Sequence, residues 1–154
     1  MSAEWNDVEV LFHDGHLLAL NKPAGLLAVP DRWDRARANL VSLLNGALAT
    51  PGSWAHKLGL SYLANLHRLD RNTSGVMLFA CRKEILVRMV REFNDRHVQK
   101  TYLAIIHGPP HKDEFTIDLA IAPHPHLPGL VVIDAKNGKP ASTTCKVLEL
   151  FHRY

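Results

Sequence analysis

The chain has 154 residues, 47% hydrophobic and 21% charged, a composition that predicts one globular domain over residues 1–154. A net charge of +3 permits a nucleic-acid partner without indicating one by itself. No apolar run approaches the ~20 residues that cross a bilayer, the first residues lack a secretory signal, and Cys81 and Cys145 lack metal-ligand spacing. These features predict a cytoplasmic protein with no membrane span and no metal.

The first half of the chain alternates extended and helical patterns. Residues 8–22 form two apolar runs around Asp14-Gly15, a favoured turn pair, and predict a β-hairpin. Residues 38–49 carry leucines at helical spacing ahead of Pro51-Gly52, and predict a helix. Residues 54–70 have no single pattern, and their second half is expected to be extended.

The second half is richer in strand patterns. The continuous apolar run 75–81 predicts a strand buried on both faces, and residues 83–98 have the apolar face of an amphipathic helix. Further strands are predicted over 100–108, 114–121, 129–135 and 141–151, with a turn at Asn137-Gly138 before the last. Strands outnumber helices in a mixed order, so the predicted fold class is α+β, a mostly antiparallel sheet flanked by helices.

One segment, NLHRLDRNTSGVMLFA at residues 65–80, places Asp70 between Arg68 and Arg71. Neighbouring guanidinium groups favour the anionic form of a carboxylate, which suits a nucleophile or an electrostatic stabiliser better than a general acid. A Thr-Ser-Gly turn follows, and it can hold such a residue rigidly above a strand. A surface salt bridge leading into a strand is the alternative interpretation, and residue chemistry alone does not reject it.

This segment closely resembles the signature of the RluA-type family of RNA pseudouridine synthases, in which His-Arg-Leu-Asp precedes Thr-Ser-Gly and an apolar strand. Three other segments resemble family motifs in the same order: LALNKPAGLLAVP at 18–30, KTYLAIIHG at 100–108 and GKPASTTCKVLE at 138–149. The resemblance spans about residues 8–151 and implies a pseudouridine-synthase-like catalytic domain.

The resemblance implies an isomerase that flips a uridine out of ribosomal or transfer RNA and converts it to pseudouridine. Substrate and product are isomers, so no cofactor is expected. Asp70 falls on the catalytic aspartate. Tyr102 falls on the active-site tyrosine, which would stack on the uracil or assist proton transfer; a core aromatic is the alternative. Arg68 falls on the arginine that fills the vacated space, with simple pairing to Asp70 as its alternative.

Three further cations are weaker candidates for phosphate contacts in RNA: Arg71, Lys22 and Lys100. For each of them, a solvated side chain is the alternative. His124 and His126 have no Cys or acidic partner at ligand spacing, so no metal site is expected there.

Two features depart from the family pattern. No S4-type RNA-binding module precedes the hairpin, as in the shorter subgroup. The family's Gly-Arg-x-His-Gln-Ile-Arg segment, whose arginine is thought to pair with the catalytic aspartate, does not occur before Tyr154. We therefore expect the chain to contain the N-terminal two thirds of the catalytic domain.

Two other functions are weighed against the isomerase. The first is a catalytically inactive RNA-binding module derived from the same fold, which would bind RNA without changing a base. The second is a glycoside hydrolase using Asp70, which would need a second carboxylate that the sequence does not indicate.

Overall fold

The computed structural model describes residues 8–32, 34–127 and 129–151. The chain divides into two compact units, Met1–Lys100 and Thr101–Tyr154. Among the described residues, the first unit has a four-stranded antiparallel sheet with three helices, and the second has a three-stranded antiparallel sheet. The predicted α+β class with mostly antiparallel strands is confirmed.

The sheet of the first unit has the strand order β1-β2-β4-β3. The elements of this unit in chain order are β1 Glu9–His13, β2 Leu17–Lys22, α1 Leu40–Ala49, α2 Trp54–Lys57, β3 Ala64–Asn65, β4 Gly75–Ala80 and α3 Lys83–Asn94. The central pair, β2 and β4, is in register from Leu17 opposite Ala80 to Lys22 opposite Gly75. The last residue of β2 therefore lies beside the first residue of β4, and this is the end of the sheet where the candidate site is found.

The predicted hairpin is confirmed, and its turn is built by Asp14. The Asp14 carboxylate accepts hydrogen bonds from the amides of His16 and Leu17, each at 2.8 Å, and Gly15 adopts a φ of 83°. These backbone bonds hold the pKa of Asp14 below its usual value.

The predicted helix 38–49 is confirmed as α1. Asn39 caps it: its side-chain oxygen accepts the Ser42 amide at 2.9 Å, and its side-chain nitrogen donates to the Arg37 carbonyl at 3.1 Å. The Leu40 and Val41 amides donate to the carbonyls of Leu27 and Ala28, which fixes the start of α1 against the loop after β2.

Helix α3 ends at Asn94, four residues before the predicted end at residue 98. Arg96 takes a left-handed conformation with φ 60°, and the His97 amide donates to the Glu92 carbonyl at 3.0 Å. This six-residue closure is a Schellman ending, in which the left-handed residue stops the helix.

The buried core lies in the first unit. It is formed by β2, β4, α1 and the loops beside them, and its fully buried large apolar side chains are Leu18, Leu20, Leu40, Leu44, Met77 and Phe79. Strand β4 is not buried along its whole length, because Val76 is 54% exposed. Cys81 follows β4 and is buried, which raises the pKa of its thiol to about 11.

The second unit has the strand order β6-β5-β7, with β5 Glu114–Pro123, β6 Val131–Ile133 and β7 Lys139–Lys146. The predicted turn at Asn137-Gly138 is confirmed: the Gly138 amide donates to the Asp134 carbonyl, and the Asp134 side chain accepts the Asn137 amide. The bounds predicted for the last strand, 141–151, are wrong at both ends, because β7 begins at Lys139 and ends at Lys146.

The strand predicted over 100–108 does not form. In the described part of the chain these residues pair with no neighbouring strand, and the apolar side chains of Leu103, Ile105 and Ile106 are 84%, 90% and 61% exposed. A strand pattern yields a ladder only where a partner supplies hydrogen bonds. No described helix is long and apolar enough to span a membrane.

Candidate active site

The residues between β3 and β4 form a loop, 66–74, that we call the Asp70 loop. Leu69 is buried, whereas Arg68 and Asp70 on either side of it are exposed. The Asp70 carbonyl accepts the Thr73 amide at 3.1 Å, which closes a turn immediately after the carboxylate. Leu69 thus anchors the loop while Asp70 presents its carboxylate to solvent.

The Asp70 carboxylate has no hydrogen-bond or ion-pair partner within the described ranges. The ion pairs found there join other residues: Arg37 with Asp31 and Asp34, and His97 with Glu92. The salt-bridge interpretation of Asp70, and the pairing of Arg68 with it, are therefore wrong. The flanking arginines leave the carboxylate free for a ligand.

Lys22 lies beneath the loop and is fully buried. Its Nζ donates to the carbonyls of Pro23 and Leu26 at 2.8 Å each and to the Arg71 carbonyl at 3.2 Å. Burial lowers the pKa of Lys22, and the negative charge of Asp70 acts in the opposite direction. Asp70 is therefore the anion that helps keep this buried ammonium charged.

This geometry corrects the expectation that Lys22 contacts phosphate. An ammonium group has three hydrogens, and each of them is directed at a backbone carbonyl. The residue ties the loop after β2 to the Asp70 loop and has no hydrogen left for RNA.

Arg71 is held from the other side by Gly25. The Gly25 amide donates to the Arg71 carbonyl at 2.8 Å, and the Arg71 Nε donates to the Gly25 carbonyl at 3.1 Å. Gly25 has φ 87°, a conformation that glycine adopts readily. The Arg71 side chain is exposed, and its terminal guanidinium nitrogens have no partner in the part of the chain that the structure describes.

His67 supports the loop where it leaves β3, and sequence reasoning did not single it out. Its Nε2 accepts the Leu78 amide of β4 at 3.0 Å, and its ring stacks on Phe93 of α3 with centroids 5.5 Å apart. Burial and the nearby charge of Lys100 lower the pKa of His67. The available signal was its place in the motif, directly before Arg-Leu-Asp.

The other predicted residues are exposed. Arg68 and Lys100 belong to the same unit as Asp70, and Lys100 is close enough to His67 to act on its charge. Tyr102 lies in the second unit, in the segment without regular secondary structure after Lys100, and is 57% exposed. This exposure argues against the alternative that Tyr102 is an aromatic residue of the core.

Metal ligands do not cluster in the described chain: no group of three or more His, Cys, Asp or Glu side chains converges there. His124 bonds locally instead, with its Nδ1 accepting the amides of His126 and Leu127.

Comparison with known proteins identifies the family. The family profile described as RNA pseudouridylate synthase matches residues 16–153. The chain is 35% identical over 150 residues to ribosomal large subunit pseudouridine synthase D of Nitrosomonas europaea, covering 97% of this chain and 41% of that protein. It is 32% identical over 141 residues to the dual-specificity RNA pseudouridine synthase RluA of Escherichia coli K12, covering 91% and 58%.

Solved structures agree in fold. Human RNA pseudouridylate synthase domain containing 4 aligns with a TM-score of 0.65 and 26% identity, over 88% of this chain and 51% of that one. Human RNA pseudouridylate synthase domain containing 1 has a TM-score of 0.67 at 24% identity, over 93% and 53%, and supports the fold alone. The chain spans about half the length of the relatives it matches. On the family profile and these relatives together, this chain belongs to the RNA pseudouridylate synthase family.

Proposed function

We propose that this chain carries the catalytic aspartate of an RNA pseudouridine synthase, and that Asp70 is this residue. The observation that carries the proposal is an exposed, unpartnered carboxylate on a loop that is tied down on both sides. Lys22 and Gly25 hold Arg71, and His67 holds the loop to β4 and α3. The main chain that carries the carboxylate is therefore held in place before a substrate binds.

The reaction needs a nucleophile or an anion at the sugar or the base, and no outside reagent. The bond between uracil N1 and ribose C1′ breaks, the base turns, and C5 bonds to C1′. The hydrogen on C5 is lost and N1 gains one, so the atoms balance. Asp70 would attack the ribose or the pyrimidine, or assist glycal formation, and all three roles require a carboxylate that is exposed to the substrate.

Tyr102 and Arg68 are proposed to handle the flipped base. The Tyr102 ring would stack on the uracil, or its hydroxyl would assist proton transfer at C5. The Arg68 guanidinium would occupy the space that the base leaves in the stack. Both side chains are exposed, as these roles require.

RNA is the proposed partner, and three exposed cations are proposed to contact its phosphates: Arg68 and Arg71 in the Asp70 loop, and Lys100. Lys22 is left out of this set because its ammonium is fully occupied. The relatives are named as a ribosomal large subunit pseudouridine synthase and as a dual-specificity RNA pseudouridine synthase. A third, from Haemophilus influenzae, is named as a tRNA pseudouridine synthase and is 38% identical over 101 residues. We infer ribosomal or transfer RNA as the substrate, and the cytoplasm as the location of the reaction.

Tritium release from RNA labelled at uracil C5 tests the proposal. The wild-type chain is expected to release tritium, and Asp70→Ala to reduce the rate at least about 100-fold. Asp118→Ala removes an exposed carboxylate from β5 and serves as the matched control, with an unchanged rate expected. Equal release by the wild type and Asp70→Ala would overturn the role of Asp70.

The second candidate is an RNA-binding module without catalysis, which would use the same exposed cations of the first unit, Arg68, Arg71 and Lys100, to contact phosphates. Both functions predict RNA affinity that falls as salt concentration rises. Salt-dependent RNA binding with no tritium release at any enzyme concentration would support the module over the enzyme.

A further inference from the structure

The His67 ring takes the place of a backbone carbonyl at the end of a β-ladder. Strand β3 pairs with β4 through Ala64 opposite Ala80 and Asn65 opposite Phe79, and the Leu66 amide extends this ladder to the Leu78 carbonyl at 3.0 Å. The returning bond comes from the Leu78 amide, and its acceptor is the Nε2 atom of His67.

Because the ring nitrogen replaces a carbonyl as the acceptor, the main chain can leave the sheet at residue 67. A strand amide left without an acceptor in a partly buried position would destabilise the sheet end. Since the side chain of His67 satisfies Leu78, the residues that follow do not need to stay in the ladder. Arg68 and Asp70 can then be exposed while Leu69 is buried between them.

We propose that His67 is the positioning residue of the Asp70 loop: its neutral ring fixes the point where the loop leaves β4, and protonation releases it. The structural part of this proposal concerns the loop alone. Its catalytic consequence rests on the proposed function, because it assumes that Asp70 must be held in place for the reaction.

We call the hydrogen bond from the Leu78 amide to His67 Nε2 the latch, and it can form only when the ring is neutral. An accepting Nε2 carries no hydrogen, and an imidazolium ion donates at both nitrogens and would repel the Leu78 amide. Burial and the positive charge of Lys100 disfavour the ion, and the Arg68 backbone acts in the opposite direction, with burial the largest of the three effects. Strand β4 has no titratable side chain before Cys81, and α3 presents the Phe93 ring.

Two substitutions separate the acceptor from the rest of the ring. A glutamine places its Oε1 the same number of bonds from Cα as the histidine Nε2, so His67→Gln keeps an acceptor for Leu78. An asparagine is one bond shorter, so His67→Asn cannot reach this amide with comparable size and polarity. His56→Asn is the control, because the His56 ring is also bonded to a backbone atom, the Leu48 carbonyl, away from the loop.

Amide hydrogen exchange tests the structural part without requiring activity. The Leu78 amide reports the latch, and the Thr73 amide, which donates to the Asp70 carbonyl, reports the turn after the carboxylate. In His67→Asn both amides are expected to exchange about tenfold faster than in the wild type, whereas His67→Gln and His56→Asn change neither. Unchanged Thr73 exchange in His67→Asn, or equal effects of Asn and Gln, would overturn the proposal.

Tritium release then tests the catalytic part. His67→Asn is expected to lower kcat about tenfold with KM within about twofold, and His67→Gln to restore kcat. Wild-type kcat should fall as the pH drops below 6.5, and the Gln variant should lack the part of that fall that His67 causes. A His67→Asn enzyme with wild-type kcat would overturn the positioning role. A wild type inactive at every pH would refute the proposed function and leave the exchange result to decide on the latch.

Discussion

Gly25 and Arg71 are hydrogen-bonded to each other in both directions, amide to carbonyl at 2.8 Å and guanidinium Nε to carbonyl at 3.1 Å. They are far apart in sequence, yet each satisfies the other's main chain. Lys22 adds a third bond to the same Arg71 carbonyl from inside the fold. The residue after Asp70 is therefore held by the loop that follows β2, and the position of the carboxylate follows from the ends of two central strands.

Replacing Lys22 by methionine should destabilise the fold. The substitution keeps the apolar volume but leaves the Pro23 and Leu26 carbonyls without the donor that satisfies them. We expect the free energy of unfolding to fall by about 2–3 kcal/mol in urea denaturation. The loss of the hydrogen bonds to the carbonyls costs more than is gained by no longer burying a charge. Lys57→Met, at an exposed position in α2, should change it by less than about 0.5 kcal/mol. A Lys22→Met protein as stable as the Lys57→Met control would refute the stabilising role of the three bonds from Lys22 to carbonyls.

Gly75→Ala should also destabilise the protein, for a different reason. Gly75 begins β4 with φ 121°, a conformation that side chains rarely adopt, although a Cβ there would meet no atom within 4 Å. The cost is backbone strain, about 1–3 kcal/mol, measurable as a lower urea midpoint.

Gly46→Ala provides the opposite control. Gly46 lies within α1, also with nothing within 4 Å of a Cβ, and has no such φ. Alanine there should stabilise the protein by about 0.5–1 kcal/mol. Equal effects of the two substitutions would show that strain at Gly75 is not the cause.

Removing the α1 cap should weaken the start of this helix. Asn39→Ala loses the acceptor for the Ser42 amide and the donor to the Arg37 carbonyl, both at a buried residue. We expect a loss of about 1–2 kcal/mol in thermal or urea unfolding. Asn39→Ser keeps a capping oxygen and should recover at least half of this loss; no recovery would argue against the capping bond as the cause.

Stability should depend on pH through His67. Its pKa in the folded protein lies below the ordinary value of 6.5, so the unfolded chain binds this proton more readily. The contribution of the neutral ring is therefore complete above pH 6.5 and is lost as the pH falls through the lowered pKa. The stability difference between the wild type and His67→Gln, measured from pH 7.5 to 5, should shift against the wild type. A difference that does not change with pH would contradict this linkage.

Local sequence patterns predicted the elements whose hydrogen bonds are local. Asp14-Gly15 indicated the hairpin turn, and the leucine spacing before Pro51-Gly52 indicated α1, because both depend on neighbours within a few residues. The strand predicted around Tyr102 failed because apolar alternation describes one strand only. A β-ladder needs a second strand, and the sequence pattern of one segment does not indicate whether a pairing strand is present.

The candidate site was predictable as a motif but not as a structure. The order of Arg68, Asp70 and Arg71 suggested paired charges, whereas the structure leaves the carboxylate free and turns Arg71 toward Gly25. Lys22 is predicted to contact RNA because lysines are usually exposed. Its burial depends on the carbonyls of Pro23, Leu26 and Arg71, which the fold brings to its ammonium group. Such contacts arise from tertiary structure, and neither charge nor spacing along the sequence encodes them.

We propose that the Asp70 carboxylate catalyses the isomerisation of uridine in RNA. Its most direct test is the pseudouridine content of ribosomal and transfer RNA transcripts after incubation with the protein, measured by nucleoside chromatography with mass spectrometry. We predict pseudouridine with the wild type and with Asp118→Asn, and none above background with Asp70→Asn, which keeps the shape of the side chain without its charge. Pseudouridine formed equally by Asp70→Asn, or by none of the three proteins, would contradict the claim.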